Sequence, residues 1–532
     1  MPVYCVNGYR ESNNSDKDGY MLSRVYTSTI AGMSAKTVEV ETRVKPGKSY
    51  FSIIGLGDGA VREARDRVKS AIKQSGLNLP DQILVNLAPA ELKKEGSGFD
   101  LAIAIGILSA FGQIANPHLA DYSFHGELSL DGALKPVRGI VALVIEAFQR
   151  GADKVIVPAA NFQEASLIPE VQVIGVRSLS EVLAYLRGED LPTLPKKEKP
   201  NRRKCYNKQF SDVRGQQVAK RAIEIAAAGG HNLLMVGPPG CGKSMLAERF
   251  SSLLPVLDRN EILEVVKIHS IAGLPITGFL AGERPYRNPH HVISQPGLVG
   301  GGSIPRPGEI SLAHKGVLFL DELPEFSRTA LEALRAPLEN GRILVTRANS
   351  SVEFPADFQL VAAMNPCPCG RLGIKGSSCL CSPSEIKGYL NKLSQPILDR
   401  IDLHVDLDAV PFEEMTGVCR SESGSESDQE MISKVEAARQ QARDRSGLIN
   451  AALSNKEVSE TLAVENGALR ILERISERGN LSARGYFRLL KVSRTIADLD
   501  DSCKIEKAHI AEAANYRSLD RIKSYCGKGC YK

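Results

Sequence analysis

The segment NLLMVGPPGCGKSMLAERFSSLLPVL, Asn232 to Leu257, decides the fold of the largest part of this chain. The apolar run Asn232 to Val236 predicts a buried strand, and Met245 to Leu257 is typical of a helix. Between them, GPPGCGKS at Gly237 to Ser244 matches the pattern G-x-x-x-x-G-K-[ST]. A strand, a glycine-rich loop and a helix in this order present backbone N–H groups to phosphate. The segment therefore predicts a parallel-sheet domain that binds a nucleotide.

The loop predicts a binding site for ATP and Mg²⁺. Its residues are Gly237, Pro238, Pro239, Gly240, Cys241, Gly242, Lys243 and Ser244. In this pattern Lys243 reaches the β and γ oxygens of ATP, and the Ser244 hydroxyl binds Mg²⁺. The apolar run Gly316 to Leu323 ends in Asp321 and Glu322. We expect Asp321 to hold the Mg²⁺ and Glu322 to polarise the attacking water, although a strand can also end in two merely solvated acids.

A third apolar run, Phe358 to Pro366, predicts another strand of the same sheet. It ends in Asn365, whose amide can orient the attacking water. An asparagine before proline is also common as a turn former, so the pattern alone leaves both interpretations open.

Composition limits the class of protein. With 43% hydrophobic and 24% charged residues, the 532-residue chain is typical of a globular protein of several domains. The net charge of +5 is too small to indicate a nucleic-acid binder by itself. No apolar run is long enough to span a membrane, and the first twenty residues lack the features of a signal peptide, so we expect a cytoplasmic protein without a membrane partner. Eleven cysteines in such a chain argue against a disulfide framework.

Changes in composition divide the chain. The proline-rich, basic stretch Leu191 to Lys204 and the polar stretch Ser421 to Glu430 are typical of linkers. Before the first linker, strand-like runs alternate with helix-like ones, which predicts an α/β domain. The predicted strands include Thr37 to Val44, Gln82 to Ala88 and Lys154 to Val157, and the predicted helices Gly59 to Gly76, Phe99 to Gly112 and Gly139 to Gly151. The predicted domains are an extension at 1–20, the α/β domain at 21–190, a linker at 191–207, the nucleotide-binding domain at 208–410, a linker at 411–430, a helical domain at 431–520 and a tail at 521–532.

Several motifs together carry a family resemblance. They are GPPGCGKS, RPYRNPHHVIS, RPGEISLAHKGVLFLDE, NPCPCG, ILDRIDLHV and LSARGYFRLLKVSRTIADL. The chain from Met21 to Asp498 resembles the magnesium-chelatase-like AAA+ ATPase family of ComM and YifB. The resemblance implies an N-terminal Lon-protease-like domain of ribosomal S5-type α/β fold, a central AAA+ domain and a C-terminal helical lid.

The same resemblance assigns further site residues. It implies that Asn365 is sensor 1, that Arg400 in LDRID is the arginine finger for the neighbouring subunit's γ-phosphate, and that Arg484 in LSARG is sensor 2. An arginine supplied in trans makes the site complete only between subunits. The implied assembly is a homo-oligomer, a hexameric ring. The segment DVRGQ, Asp212 to Gln216, resembles the family's adenine-pocket element.

The first domain resembles the Lon-protease domain through KKEGSGFDLAIAIGIL at Lys93 to Leu108 and the segment Gly126 to Ala147. A Lon-type protease needs a serine nucleophile and a lysine base. Gly98 stands at the serine position, and Val141 or Leu143 at the lysine position. We therefore expect no proteolysis, with Ser97 and Lys93 as the only conceivable substitutes.

Four cysteines follow the strand that ends in Asn365. Cys367, Cys369, Cys379 and Cys381 form two C-x-C pairs, a set suited to a structural Zn²⁺. Reduced thiols and a redox pair remain alternatives, whereas the spacing disfavours an iron–sulfur cluster. A bound zinc would fix the loop between Asn365 and Arg400.

A long stretch rich in Gly, Pro and His lies between the phosphate-binding helix and the strand that ends at Asp321. The resemblance implies an insert that lines the central pore of the ring. Its basic residues suit non-specific contact with a phosphate backbone; they are Arg284, Arg287, His290, His291 and Arg306. A metal at the histidine pair is disfavoured, because adjacent side chains point apart.

The motifs thus predict an enzyme that hydrolyses ATP, and the family resemblance implies a hexameric AAA+ ATPase that translocates on single-stranded or branched DNA. The family resemblance implies a helicase that promotes branch migration during recombination or natural transformation. Two alternatives stay open: the motor subunit of a magnesium chelatase, and an ATPase that remodels or degrades proteins. Stimulation of ATP turnover by DNA would separate them.

Overall fold

The computed structural model describes residues 21–55, 57, 59–94, 96–114, 118–191, 210–213, 215–302, 305–347, 350–372, 379–408, 428–479 and 482–517. The predicted extension, most of both predicted linkers and the tail lie outside the described residues. The chain divides into two compact units. The first comprises Met1–Pro200 with Val266–Ile276, and the second comprises Asn201–Val265 with Thr277–Lys532.

The first unit is an α/β domain. Its strands are β1 Met21–Ala31, β2 Ser34–Lys45, β3 Tyr50–Ile54, β4 Gln82–Ala88, β5 Tyr122–Phe124, β6 Glu127–Leu128, β7 Leu134–Lys135, β8 Lys154–Pro158 and β9 Gln172–Val176. Its helices are α1 Gly59–Gln74, α2 Asp100–Ala110, α3 Ile140–Arg150, α4 Phe162–Ala165 and α5 Leu179–Leu186. One sheet has the order β1-β2-β4-β3, in which only the β3–β4 pair is parallel. A second, parallel sheet has the order β5-β8-β9, and β6 pairs with β7 as a hairpin.

Helix α2 forms the centre of this unit. Its sequence DLAIAIGILSA is apolar on every side after Asp100, and nearly all of its residues are buried, as expected for a helix enclosed by its own domain. The Asp100 carboxylate accepts hydrogen bonds from Arg67 Nε at 2.7 Å and from the Leu128 backbone at 3.2 Å. Burial raises the pKa of Asp100 to about 6, against the opposing effect of Arg67. The charge of Arg67 therefore lets an acidic side chain begin a buried helix.

The second unit carries the nucleotide-binding loop. Its strands are β10 Leu233–Val236, β11 Tyr286–Arg287, β12 Gly300–Gly301, β13 Arg306–Pro307, β14 Val317–Leu320, β15 Arg342–Arg347, β16 Ser350–Pro355, β17 Gln359–Met364 and β18 Leu403–Asp406. Its helices are α6 Gln217–Gly229, α7 Lys243–Leu253, α8 Arg259–Ala272, α9 Thr277–Leu280, α10 Gln295–Val299, α11 Glu309–Leu312, α12 Arg328–Ala333, α13 Arg335–Asn340, α14 Pro383–Leu390, α15 Gln395–Leu398, α16 Asp428–Ser446, α17 Asn455–Thr461, α18 Asn466–Gly479, α19 Ala483–Leu499 and α20 Lys507–Asn515. The C-terminal part of α8 belongs to the first unit.

A five-stranded parallel sheet organises this unit, with the order β11-β14-β17-β10-β18. Strands β10, β14 and β17 are buried at every residue, as is usual for parallel strands covered on both faces. The carboxyl ends of parallel strands meet at one edge of the sheet. Gly237, Asp321 and Asn365, which directly follow these strands, therefore lie along the same edge.

The helix after the phosphate-binding loop differs from the prediction. It begins at Lys243 and ends at Leu253, rather than running from Met245 to Leu257. Leu254 is extended, with ψ of 141°, because it precedes Pro255 and a proline disfavours helical geometry at the residue before it.

The described C-terminal segments are helical and share a hydrophobic core with α6. The Arg439 guanidinium is buried and donates to the Ala227 carbonyl at 2.7 Å. Burial lowers the pKa of Arg439 to about 9. Among all the described helices, none combines the length and apolar character that a bilayer crossing requires.

Candidate active site

The phosphate-binding loop lies between β10 and α7, as the sequence predicts. Gly240 and Gly242 have φ of 78° and 94°, a region that glycine adopts without steric cost. A Cβ at Gly237 would lie 2.7 Å from the Leu407 carbonyl oxygen, so the loop packs closely on the chain that follows β18. The α7 N-terminus, which favours anions, begins at Lys243. The loop therefore has the backbone shape that a phosphate site requires.

Lys243 joins the loop to the neighbouring strand. Its buried Nζ donates to the carbonyl oxygens of Gly237 at 2.7 Å and Pro238 at 2.8 Å. It also donates to Asn365 Oδ1 at 3.2 Å. The structure thus places the predicted phosphate-binding lysine beside the predicted sensor asparagine.

The predicted Mg²⁺ ligands also meet. Ser244 Oγ donates to Asp321 Oδ2 at 2.8 Å, and the Glu322 backbone N–H donates to Asp321 Oδ1 at 2.9 Å. Glu322 has φ of 51°, a strained value for a residue with a side chain. Hydroxyl and carboxylate oxygens are the ligands that Mg²⁺ prefers, so these residues fit a Mg²⁺ ion bound with ATP.

The Glu322 carboxylate has a partner that sequence reasoning missed. His291 Nδ1 lies 3.2 Å from Glu322 Oε2. Contrary to the expectation that these adjacent side chains point apart, the His291 ring lies against that of His290, with centroids 4.2 Å apart, and it contacts Phe326 edge-on. The sequence singled out both histidines only as residues of the insert, because nothing local predicts which strand end they reach. The insert therefore contacts the predicted catalytic carboxylate directly.

The basic residues of the insert do not form one exposed set. Arg284 is buried and binds Glu261 at 2.9 Å, and Arg287 binds Glu309 through two hydrogen bonds of 2.6 and 2.8 Å. These two arginines stabilise the fold and are poorly placed to bind phosphate, contrary to the sequence-based expectation. His290 and Arg306 are exposed.

Arg400 and Arg484 lie near a second acid. Arg400 Nη1 donates to the Pro396 carbonyl at 2.7 Å, and its Nη2 pairs with Glu339. The hydrogen bond from Arg400, with the charges of Arg400 and Arg484, lowers the pKa of Glu339. None of the described hydrogen bonds or ion pairs joins either arginine to Lys243, Ser244, Asp321, Glu322 or Asn365.

The segment predicted to form the adenine pocket contacts the phosphate-binding loop through Gln216. Its Nε2 donates to the carbonyls of Asp408 at 2.6 Å and Cys241 at 3.4 Å. Asp212 accepts a hydrogen bond from Arg249 of α7 at 3.0 Å. Residue 214 lies outside the described residues.

The four cysteines form a compact cluster. Their Sγ atoms all lie within 4.8 Å of one another, and no other group of three or more metal-binding side chains occurs among the described residues. Cys367 is buried, and its Sγ accepts a hydrogen bond from the Leu372 backbone at 3.4 Å. The Arg371 backbone N–H lowers the pKa of Cys369 to about 6, whereas burial and the neighbouring sulfurs raise that of Cys379 to about 12. The cluster has the composition of a metal site.

The first unit lacks the Lon-type dyad at the matched positions. Val141 and Leu143 are buried in α3. The Ser97 hydroxyl contacts the Glu127 carboxylate. Lys94, next to the considered substitute Lys93, is fully buried and donates to the Pro89 carbonyl, and burial lowers its pKa.

Comparison with known proteins agrees with this fold. Three family profiles match: "Magnesium chelatase, subunit ChlI" at residues 209–415, "Subunit ChlI of Mg-chelatase" at 40–161 and "Magnesium chelatase, subunit ChlI C-terminal" at 425–517. The matches cover both units. They define the class of protein as a magnesium-chelatase-like AAA+ ATPase, and that class implies ATP and Mg²⁺ as cofactors.

Individual relatives narrow the family. Competence protein ComM of Haemophilus influenzae is 42% identical over 94% of this chain and 98% of its own length. YifB of Escherichia coli is 43% identical over the same shares. A Lon protease of Halothermothrix orenii is 27% identical over 34% of this chain. The chain belongs to the magnesium-chelatase-like AAA+ family of ComM and YifB, with a Lon-like N-terminal domain, an AAA+ domain and a C-terminal helical region.

Proposed function

We propose that the chain is an ATP-driven DNA motor, a homo-hexameric helicase that promotes branch migration in recombination or natural transformation. Its cofactors are ATP and Mg²⁺, with a structural Zn²⁺ at the four cysteines. The family supports the ATPase. The relative named competence protein ComM, which matches over nearly the whole chain, supports a role in DNA uptake.

The residues divide the work of hydrolysis. The loop backbone and Lys243 bind the phosphates, while Ser244 and Asp321 hold Mg²⁺. Glu322 orients a water whose oxygen attacks the γ-phosphorus, and the bond to the β–γ bridging oxygen breaks to release ADP. Asn365, bonded to Lys243, is placed to orient the same water.

The contact between His291 and Glu322 is the observation that carries the DNA-motor proposal. His291 belongs to the insert, and the exposed His290 and Arg306 lie on the same insert. A phosphate backbone that binds this insert would act on the catalytic carboxylate through one side chain. Coupling of this kind is what a motor needs, because substrate contact must alter ATP turnover.

The placement of Arg400 supports an oligomer. Its described partners are Pro396 and Glu339, outside the group formed by Lys243 and its neighbours. An arginine that serves a neighbouring subunit's nucleotide requires such a separation. The proposed ring then has its hydrolytic sites between subunits.

The direct test measures ATP turnover with single-stranded, forked and four-way-junction DNA and without nucleic acid, together with strand displacement. We expect branched DNA to stimulate turnover and ATP to drive displacement, and the Lys243→Ala variant to show neither. No stimulation and no displacement with any of these DNAs would refute the motor on DNA.

Further measurements address the alternatives. Native mass spectrometry with ATP should show six chains per particle, and a stable monomer would contradict the ring. Casein degradation should be absent, with Lys243→Ala as the control for ATP-dependent proteolysis. ATP-dependent insertion of Mg²⁺ into a porphyrin, assayed with a chelatase's other subunits, should also be absent.

A further inference from the structure

The spacing of the four cysteine sulfurs matches a single tetrahedral ion. Three Sγ pairs are described: Cys367–Cys369 at 3.4 Å, Cys367–Cys379 at 3.7 Å and Cys369–Cys379 at 3.6 Å. A tetrahedron with Zn–S bonds of about 2.3 Å has sulfur–sulfur edges of about 3.8 Å. The observed contacts are close to that edge length and far longer than a disulfide bond of about 2.05 Å. The cysteines therefore have the arrangement of four ligands to one metal.

We infer that Cys367, Cys369, Cys379 and Cys381 bind one Zn²⁺ that fixes the Asn365 loop against the phosphate-binding loop, so that zinc sets the rate of ATP turnover. The metal is structural, because four thiolates leave no position open for substrate. The zinc does not itself react. Its effect on turnover passes through the positions of Asn365 and Lys243.

The cysteine loop packs directly on the phosphate-binding loop. Gly370 lies between two of the ligands in the chain and has φ of 74°. A Cβ at Gly370 would lie 2.7 Å from Pro239 Cδ and 3.9 Å from Asn365 Cγ. Only a glycine lets the backbone approach Pro239 this closely. The cluster is thus in position to hold both loops at one distance.

The first ligand also follows the predicted sensor closely in sequence. Cys367 is two residues after Asn365, whose Oδ1 accepts a hydrogen bond from Lys243. The Gly370 backbone N–H donates to the Cys367 carbonyl at 3.0 Å, which closes a tight turn around the first ligand pair. A metal at this turn restricts the backbone that carries Asn365.

The second ligand pair leads into α14. Ser382, next to Cys381, caps this helix with a reciprocal hydrogen-bond pair to Glu385. Burial raises the pKa of Tyr389 on the same helix, and the nearby Asn365 backbone opposes that rise. The metal would thus join the chain that follows Asn365 to the chain that leads into α14, and Tyr389 of α14 lies near Asn365. Without an ion, no bond would hold the first cysteine pair to the second.

Other uses of the cysteines fit less well. A cubane iron–sulfur cluster binds each thiolate to a different iron, which requires wider spacing than these sulfurs have. A redox pair requires only two of the four residues. A single ion accounts for the convergence of all four.

The experiment uses the full chain purified without chelators. We expect about one zinc per chain by elemental analysis. The double variant Cys369→Ser/Cys381→Ser should lose the zinc and lower kcat for ATP by about 10- to 100-fold, the usual effect of disturbing groups that position a site. Binding of a fluorescent ATP analogue should remain, because the phosphate-binding loop is intact. The matched control is Cys503→Ser, which alters an exposed free cysteine outside the cluster and should keep both zinc and turnover.

A second measurement uses the wild-type chain, so that it remains informative if the double variant does not fold. The wild-type chain is stripped of metal under reducing conditions and titrated with Co²⁺, whose tetrahedral thiolate complex has characteristic visible absorption. Zinc added back should restore kcat. If the chain contains no zinc and gives no Co²⁺ spectrum, the cysteines are not a metal site. If iron is bound instead, the identity of the metal is wrong. If kcat is unchanged after metal removal, the metal does not set the rate of ATP turnover. The turnover measurement rests on the proposed ATPase but not on DNA, so loss of DNA stimulation alone refutes only the motor.

Discussion

The two units differ at the positions where their motifs place the residues of an active site. In the second unit, residues from three strand ends converge: Lys243 on Asn365, and Ser244 on Asp321. In the first unit, the positions that match a Lon dyad hold Gly98 and the buried Val141 or Leu143. The nucleotide-binding fold has the residues that its motifs require, whereas the Lon-like domain lacks the serine and the lysine at the matched positions. The side chains at a site, rather than the fold, therefore decide what chemistry to expect.

The difference has a physical basis. Burying an aliphatic side chain contributes about 1.5–3 kcal/mol, whereas an unpaired buried lysine costs free energy. Val141 and Leu143 therefore stabilise α3 where a catalytic lysine would not. The buried Lys243 of the second unit is accommodated because three oxygen atoms accept its hydrogen bonds.

The largest expected effect comes from Arg400→Ala. Removing an arginine finger lowers kcat by about 10³–10⁵-fold, since the γ-phosphate loses its transition-state partner. Mixing this variant with Lys243→Ala chains should restore part of the ATP turnover, because some interfaces then combine an intact loop with an intact arginine. If phosphate release shows no recovery of ATP turnover in the mixed assemblies, Arg400 is not an arginine finger that serves a neighbouring subunit.

Glu322→Gln should rank next. Replacing a general base costs about 10²–10⁴-fold in kcat, and ATP binding should persist because the loop is untouched. Phosphate release and equilibrium binding of labelled ATP measure the two effects. Equal loss of binding and turnover would show that Glu322 serves the fold of the loop instead.

His291→Ala should have a smaller effect. Loss of the contact to Glu322 misplaces the carboxylate and should lower kcat about tenfold with little change in KM. His290→Ala, which removes the neighbouring ring but not the 3.2 Å contact between His291 and Glu322, is the matched control. Identical kinetics for the two variants would argue against a positioning role for His291.

The smallest effect is expected in the first unit. Gly98→Ser restores a hydroxyl at the Lon serine position, where a Cβ would meet Val137 Cγ1 at an ordinary 3.4 Å. The change in the free energy of unfolding should stay within about 1 kcal/mol. No peptidase activity should appear, because no lysine base is supplied. Cleavage of casein by this variant would contradict the expectation that the first unit cannot catalyse proteolysis.

Local patterns predicted much of the fold. The strand Gln82–Ala88 has the predicted bounds, and the phosphate-binding loop lies between a strand and a helix as expected. These features could be predicted because the apolar pattern and the glycine-rich motif that indicate them each lie within a few consecutive residues. The magnesium-chelatase-like family and the three-part α/β architecture predicted from the motifs are confirmed by the family matches.

Long-range pairs were beyond the sequence. Arg287 binds Glu309, and His291 reaches Glu322, through contacts that depend on how strand ends align. The sequence around a basic residue in a glycine-rich segment is the same whether its side chain pairs with a carboxylate of the protein or is free to bind phosphate. For the same reason, nothing local indicated that Glu339 lies with Arg400, and the roles of Arg400 and Arg484 stay predictions.

The position of β10 in its sheet has a consequence for synthesis of the chain. This strand is flanked by β17 and β18, which are made long after it. Non-local pairing of this kind folds slowly and leaves apolar strands exposed to aggregation in the meantime. The phosphate-binding loop cannot be held on both sides until the ribosome has passed Asp406, so a nascent or truncated chain that stops earlier carries the ATP-binding sequence without a site.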